Sequence, residues 1–474
     1  MIASILLIPI IFSLFALLIK NKVYNRIVLI GNAIIYLIIA IMRWLNVVWF
    51  VLPAWLLKYF SFDDVGLYFF SIMSIVFLAT SVYSVFYFKE SNLTAYQEAV
   101  FIAELLFFVV AMSGVILSTH IALLWVFIEG TTLTSALLIY FEKKKSSLEA
   151  AWKYVYICSI GIAIAFVGII VLSIGSKGID SLFFENLYKY AAEKNPFWLK
   201  IAFAFLFVGI GTKIGVAPIH AWLPDAHSEA PSPVSALLSG TLLNSALLGI
   251  IRINEIFIHA HQEDFINFFL LLTGFLSLMV SSVFILRVKN YKRMLAYSSI
   301  ENMGIIFIAL GLGKAGIYAA MLHILVHSLS KTTFFLTSGN IYYLYKSKKI
   351  ESVNGLLYSE PKTAWLWIIS TITILGVPPS PAFITKFLII KALWLSNLGW
   401  LIIPFFLFII FITYGMINVA TKMSFGSSQL STNNKIPGYA YIPQFILLLI
   451  LIIMGIIIPQ QLNEFIINAG KFIG

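Results

Sequence analysis

The chain has 474 residues, is 61% hydrophobic and only 11% charged, and carries a formal charge of +11 with a single cysteine; its mean hydropathy is +0.98. No soluble core of this length can hide so much apolar surface, so lipid is the solvent for most of the chain. The lone thiol, Cys158, excludes an internal disulfide, a cysteine-ligated iron–sulfur cluster and a zinc knuckle, and the basic charge, which in a soluble protein would suggest nucleic acid, reads here as loop charge that sets topology.

Within a bilayer the backbone must satisfy its own hydrogen bonds, which leaves helices or a closed barrel. Barrel strands alternate apolar and polar residues over about ten positions. The runs here stay apolar for about 18–25 residues, the length of a membrane-crossing helix, so the chain is read as an all-α polytopic membrane protein of about 14 helices. The first run, MIASILLIPIIFSLFALLIK, has no basic leader or small-residue cleavage site and reads as a span rather than a signal peptide. The spans fall near 2–19, 23–42, 66–88, 100–117, 119–140, 151–174, 197–219, 231–254, 266–288, 293–312, 315–345, 363–393, 399–421 and 441–458. Residues 44–60 are apolar as well and either extend the second span or lie at the interface.

With the N-terminus outside, the inner loops collect Lys20, Lys22, Arg26, Lys143, Lys144, Lys145, Arg287, Lys289, Lys292, Arg293, Lys346, Lys348 and Lys349. That is the lysine and arginine bias expected of a cytoplasmic side, and it leaves both termini outside. No Pro- or Ser-rich linker divides the chain, so residues 1–474 form a single integral domain in the cell (cytoplasmic) membrane.

Two spans are interrupted in comparable ways. The seventh runs GIGTKIGVAPIHAW, with Gly215 and Pro218 inside an apolar helix, and the twelfth runs ILGVPPSPAFITKF, with Pro378, Pro379 and Pro381. Broken helices in corresponding positions of two halves are the sequence mark of a transporter built from inverted repeats. This divides the chain into a first half at 100–254, with its broken helix at 197–219, and a second at 266–421, with its broken helix at 363–393.

A charge at mid-bilayer costs about 2.5–3.5 kcal/mol even on insertion scales, so each one calls for a reason. Glu129 lies deep in LLWVFIEGTTLTSALLI, Lys213 in the broken seventh span, Lys331 after HILVHSLS, and Lys386 just past the prolines of the twelfth. Glu104 and Glu301 lie nearer span ends and read equally as interface or capping groups. Static ion pairs or snorkelling side chains are the bland alternative for the other four. A static set has no need of four members on separate helices.

His323, His327 and Lys331 form the most suggestive constellation. Their i, i+4, i+8 spacing stacks them on one helix face with a drift of only about 80°. Histidine titrates near neutral pH, and such a row can pass a proton along bound water. GLGKAG at 311–316 fits G-x-G-x-x-G but joins two apolar helices with no strand before it, so it is no nucleotide loop. His259 and His261 fall in a polar outer loop, and no two histidines face each other from separate helices as a haem would require.

KIGVAPIHAWLPDAHSEAPSPVSALLSGTLLN, from Lys213 to Asn244, resembles the signature of the antiporter-like proton-translocating subunits shared by complex I, Mrp-type sodium/proton antiporters and membrane-bound hydrogenases. LLWVFIEGTTL (123–133), LEAAWKYVYICSIGIAIAFVG (148–168) and AYSSIENMGIIFIALGLG (296–313) are similar above all to hydrogenase-4 component F, and the resemblance covers roughly 100–395. It implies that Glu129 pairs with Lys213, that His323, His327 and Lys331 are the central relay, and that Lys386 is its terminal residue. Many complex I members carry a lysine where this chain has Asn244. Asparagine orients water but holds no proton at neutral pH, so the link between the halves relies on water, His220 or His327.

The resemblance further implies that electron transfer occurs in other membrane subunits and a peripheral redox arm, with no cofactor in this chain and no nucleic acid. Two charges about 4 Å apart interact by about 4 kcal/mol at an effective dielectric of about 20, so parting Glu129 from Lys213 would push the lysine's proton along the relay. Two other readings stand beside this one: a Mrp-type exchanger in which sodium uses part of the path, with Thr131, Thr132 and Thr134 at hand, and a non-transporting membrane anchor. No long lateral helix is expected after the fourteenth span.

Overall fold

The computed structural model describes residues 2–47, 58–174, 182–427 and 435–471. The membrane helices are α1 (Ile2–Ile19), α2 (Lys22–Trp44), α3 (Asp64–Glu90), α4 (Ala95–Leu117), α5 (Ile121–Ile139), α6 (Lys145–Leu172) and α7 (Pro196–Ile214). After the short α8 (Trp222–Glu229) comes α9 (Ser232–His259). Then follow α10 (Glu263–Ile285), α11 (Tyr291–Gly311), α12 (Lys314–Tyr345), α13 (Pro361–Leu375), α14 (Pro381–Leu395), α15 (Ile402–Ser424), α16 (Ile442–Ile456) and α17 (Gln460–Lys471). Among the described residues there is no strand, only three isolated backbone bridges.

Polar residues at the inner turns start several of these helices. The Asn21 side chain accepts from the amides of Val23 and Tyr24, Thr94 and Gln97 close a capping box, and Asn290 caps α11. Each satisfies amides that the first turn leaves without intrahelical partners.

Among the described residues, 13 helices are long and apolar enough to cross a membrane. The remaining crossing, twelfth in chain order, is the broken pair α13 and α14. Each has 15 residues, about 22 Å of helix against a hydrocarbon core of about 30 Å, so neither spans alone. Both interruptions use the same chemistry. Gly215 (φ 76°) ends α7 and Gly376 (φ 81°) ends α13, each as a left-handed C-cap, a conformation glycine enters without the Cβ clash. A cis peptide follows each, at Ala217–Pro218 and Pro378–Pro379. Helix α14 restarts with Pro381 in its first turn and the Ser380 hydroxyl accepting from the Ala382 amide, an arrangement that suits proline's missing N–H.

The halves now read as α4 to α9 and α10 to α15, with five crossings each and the broken helix fourth in both. Five is odd, so the second half enters from the opposite side and the repeats are inverted. The most apolar stretches of α9 and α12 are 100% buried and that of α11 94%. Helices enclosed on every side can carry polar groups without showing them to lipid, and these three carry many of the buried ones. Close approach helps elsewhere: a Cβ on Gly209 of α7 would sit 2.5 Å from the Gly161 carbonyl of α6, so small residues bring these two helices nearly backbone to backbone.

Two details differ from the sequence reading. Helix α2 stops at Trp44, and most of the apolar stretch assigned to 44–60 lies outside the described residues. Past the fourteenth crossing, α17 packs on α3 and α12, tied by Tyr318 Oη donating to Asn463 Oδ1 at 2.6 Å. Its 12 residues make a short strap, not a long lateral arm.

Candidate functional site

In the first half, Lys213 occupies the last turn of α7, fully buried. Its Nζ donates to Thr132 Oγ1 of α5 at 2.9 Å and to the Tyr154 hydroxyl of α6, and it lies 4.6 Å from the Tyr154 ring centroid. Tyr154 shares a 2.6 Å hydrogen bond with Ser135. Glu129 is half-buried on α5, where Ser159 Oγ of α6 donates to Oε1 at 2.7 Å and Oε2 is enclosed without a partner.

No ion pair joins Glu129 to Lys213, which corrects the pairing that the resemblance implied. Thr132, three residues along α5 from Glu129, and Tyr154 hold the lysine instead. The two charges therefore both lie against α5 and α6, the lysine on Thr132 and Tyr154 and the glutamate on Ser159.

The halves meet through α9 and α12. Residues Leu238–Leu242 form a π-helical turn within α9, a distortion found most often at functional sites. In that turn the carbonyl of Ser239 accepts from His327 Nε2 at 3.3 Å. With the ring hydrogen committed there, His327 Nδ1 is a bare acceptor, buried and without a partner. Asn244 Nδ2 donates to Ser328 Oγ of α12 at 2.6 Å and to the Gly240 carbonyl at 3.0 Å, leaving Oδ1 open. His220 sits half-buried in the break after α7 with Nδ1 unpartnered, and no hydrogen bond ties it to Asn244 or His327.

On α12, His323, His327 and Lys331 are all fully buried but none bonds another directly. Lys331 Nζ donates to the Leu295 carbonyl of α11 at 2.9 Å. A proton moving among the three crosses about a helical turn each time, a gap that a bridging water spans.

His323 has the most informative surroundings. Its Nε2 lies 3.0 Å from Asn302 Oδ1, and since Asn302 Nδ2 is committed to the Ser298 carbonyl at 2.7 Å, Nε2 must carry the hydrogen. Its Nδ1 lies 2.8 Å from Thr385 Oγ1, whose own hydrogen can point to the Ala382 carbonyl at 2.9 Å. When the threonine donates to Nδ1 the ring is neutral. When it donates to Ala382 it accepts from a protonated Nδ1. One hydroxyl rotation thus keeps both ring nitrogens bonded in both protonation states.

Lys386, on the first turns of α14, donates to the Leu375 carbonyl at 3.1 Å, one of the acceptors that the break at Gly376 strips of its helical partner. It also pairs with Glu301 of α11 at 3.4 Å. The sequence reading set Glu301 aside as a span-end group. The structure buries it to 1% exposure beside Lys386, with Ser298 Oγ at 3.3 Å.

Sequence reasoning also passed over Tyr154, Ser159, Asn302, Thr385 and His227. The last is fully buried with both ring nitrogens lacking partners. Only the inverted repeat could have flagged Glu301, because it occupies the second helix of its half, as Glu129 does.

The arrangement is a line of buried proton-holding groups running from one broken helix to the other, with open acceptors between them. Comparison with known proteins places the chain in a family. The family described as NADH:quinone oxidoreductase/Mrp antiporter, transmembrane, matches residues 118–413. The hydrogenase-4 component F homolog of Methylacidiphilum infernorum is 37% identical over 290 residues, 59% of this chain and 60% of that protein. A Na(+)/H(+) antiporter subunit A1 of Staphylococcus epidermidis is 32% identical over 323 residues, 64% of this chain and 39% of that protein. These matches span less than two thirds of either relative's length. In structure, a chain of the membrane-bound sulfane sulfur reductase, an archaeal respiratory membrane complex, superposes with a TM-score of 0.88 at 23% identity, covering 100% of this chain and 97% of that one.

Proposed function

The chain belongs to the NADH:quinone oxidoreductase/Mrp antiporter transmembrane family, and from that premise we propose that it moves protons across the cell membrane as one subunit of a complex I-related assembly of the hydrogenase type. The observation that carries this reading is the line Lys213, His327, Lys331, His323 and Lys386, buried in the middle of the bundle and bounded by the two helix breaks. A static scaffold gains nothing from so many desolvated groups, each of which costs several kcal/mol to bury without a partner.

Charge displacement supplies the drive. Glu129 approaching Lys213 stabilises the ammonium; as it withdraws, the lysine's proton passes toward His327, which has Lys331 and His323 a turn to either side, and on to Lys386. Asn244 and the freed carbonyls at the breaks orient the waters that bridge these steps. The triggering movement comes from partner subunits, which carry the electron-transfer centres in a peripheral redox arm.

Proton uptake by inverted vesicles bearing the assembled complex, with electron transfer followed in parallel, tests the reading. Lys213→Ala and Glu129→Gln should each suppress uptake while the complex still assembles. If both transport as the wild type does, the charges are structural and the chain is an anchor. The likeness to a Na(+)/H(+) antiporter subunit supports a second reading, sodium/proton exchange, which predicts that uptake depends on sodium.

A further inference from the structure

We propose that a cleft on the inner face, floored by Lys292, is a proton inlet to the central relay, with His227 carrying the proton from Lys292 to Lys331. This deepens the proton-transport reading above and rests on it.

The cleft holds about 80 Å3 and is lined by Glu142, Ala230, Lys292, Tyr342, Lys346 and Lys348 among others. On a scale where one water needs about 10–15 Å3, it takes several. Lys292 stands in the first turn of α11, only 2% exposed, and its Nζ donates to the Ala230 carbonyl at 2.6 Å. That carbonyl belongs to the C-cap of α8, less than a turn beyond His227. The amine thus has one face toward the cleft and the other toward α8.

His227 is the fully buried group behind it. An imidazole always has hydrogen-bonding capacity at both nitrogens, and neither is used here. Such a ring in a packed interior calls for an explanation. It stacks on Phe335, 5.1 Å between centroids and 18° between planes, and Phe335 lies one turn along α12 from Lys331. The ring is therefore set within one turn of Lys331 along α12, with Lys292 and Lys331 both close enough to act on it. Glu142, Lys144, Glu229 and Lys348 surround Lys292; Lys292 and Lys331 flank His227, and His327 is near it.

In the transfer, Lys292 gives a proton to the acceptor nitrogen of His227 and regains one from hydronium in the cleft. His227 then gives the hydrogen on its other nitrogen to the unprotonated Lys331 amine. Lys292 and His227 each gain and lose one proton, the charge arrives on Lys331, which passes it into the relay, and the His227 ring, left in its other tautomer, turns over before the next transfer. This inlet bypasses Glu129 and Lys213.

The test compares proton uptake by inverted vesicles carrying the assembled complex, for Lys292→Ala, His227→Phe and Lys213→Ala. Phenylalanine keeps the stacking on Phe335 and removes both nitrogens. Lys292→Ala and His227→Phe should each slow uptake on the order of tenfold or more, and ethylammonium added at the inner face should restore only Lys292→Ala. If Lys213→Ala stops uptake while both others transport normally, the inlet is wrong and the transport reading stands. If all three transport normally, both fall. Should Lys292→Ala fail to assemble, Tyr342→Cys in a Cys158→Ala background decides. A membrane-impermeant maleimide at the inner face must label it and slow uptake; no labelling, or labelling without effect, overturns the inlet.

Discussion

Glu301 holds Lys386 across 3.4 Å, whereas the corresponding first-half residues, Glu129 and Lys213, are kept apart by Thr132 and Tyr154. Each glutamate sits on the second helix of its half and each lysine beside the break in the fourth, so the inverted repeat presents one Glu–Lys pair closed and the other open. A closed pair stabilises the ammonium and an open pair releases that hold. In the proposed mechanism the two halves would then stand at opposite points of one charge cycle.

The closed pair makes the first prediction. Removing one partner of a buried pair leaves an uncompensated charge at a cost of about 3–5 kcal/mol, while removing both is often close to neutral. Lys386→Met should therefore destabilise the purified protein strongly, and the double variant Glu301→Gln/Lys386→Met should recover most of the loss. Thermal unfolding of wild type, Glu301→Gln, Lys386→Met and the double variant measures this, and strictly additive losses would show that the contact carries no coupling.

Thr385 gives a prediction about transport. Thr385→Val removes the hydroxyl that serves both protonation states of His323 and strands Nδ1 at a cost of about 1–3 kcal/mol. Uptake should slow markedly in Thr385→Val and return nearly to normal in Thr385→Ser. Wild-type rates in the valine variant would mean that His323 does not change protonation during transport.

What could be read from the sequence, and what could not, follows from the physics of each residue. Apolar runs of span length and the Gly and Pro interruptions are properties of composition and backbone, so the crossings and both breaks were legible. Full charges in apolar helices stand out for the same reason, and Glu129, Lys213, Lys331 and Lys386 all proved buried or half-buried. Ser159 and Thr385 left no mark, because a serine or threonine hydroxyl in a membrane helix can bond its own preceding turn and costs little, and Tyr154 reads as one more aromatic of an apolar span. Glu301 was misjudged because it was weighed by its distance from a span end, although α11 is enclosed by its neighbours along nearly all its length. Whether Glu129 touches Lys213 depends on rotamers across two helices, which residue types do not encode.

Gly215 is the site of a backbone prediction. At φ 76° an alanine pays roughly 1–2 kcal/mol for the left-handed conformation, and its Cβ would collide with Leu223 Cδ1. Gly215→Ala should lower stability by at least that amount. It should also impair transport, since Lys213 lies two residues before the cap. A Gly215→Ala protein with unchanged melting temperature and full uptake would refute the role given to the break.

The inner end of α8, outside the spans, yields a pH prediction. Burial acts to raise the Glu229 pKa, but Lys348 at 3.1 Å and the Ser146 hydroxyl at 2.8 Å outweigh it, and the carboxyl lies below its ordinary 4.5. A group with a depressed folded-state pKa adds stability that is present above its unfolded value and lost as pH falls through the folded one. Wild type should therefore melt above Glu229→Gln at neutral pH, and the gap should close on acidification below about 4.5, the ordinary carboxylate value. In a Lys348→Gln background the neutral-pH gap should already be small. Since the pair is partly open to solvent, added salt should narrow it too. Melting curves of the four proteins across this pH range check the sign, and a gap independent of pH would show that Glu229 acts through packing rather than charge.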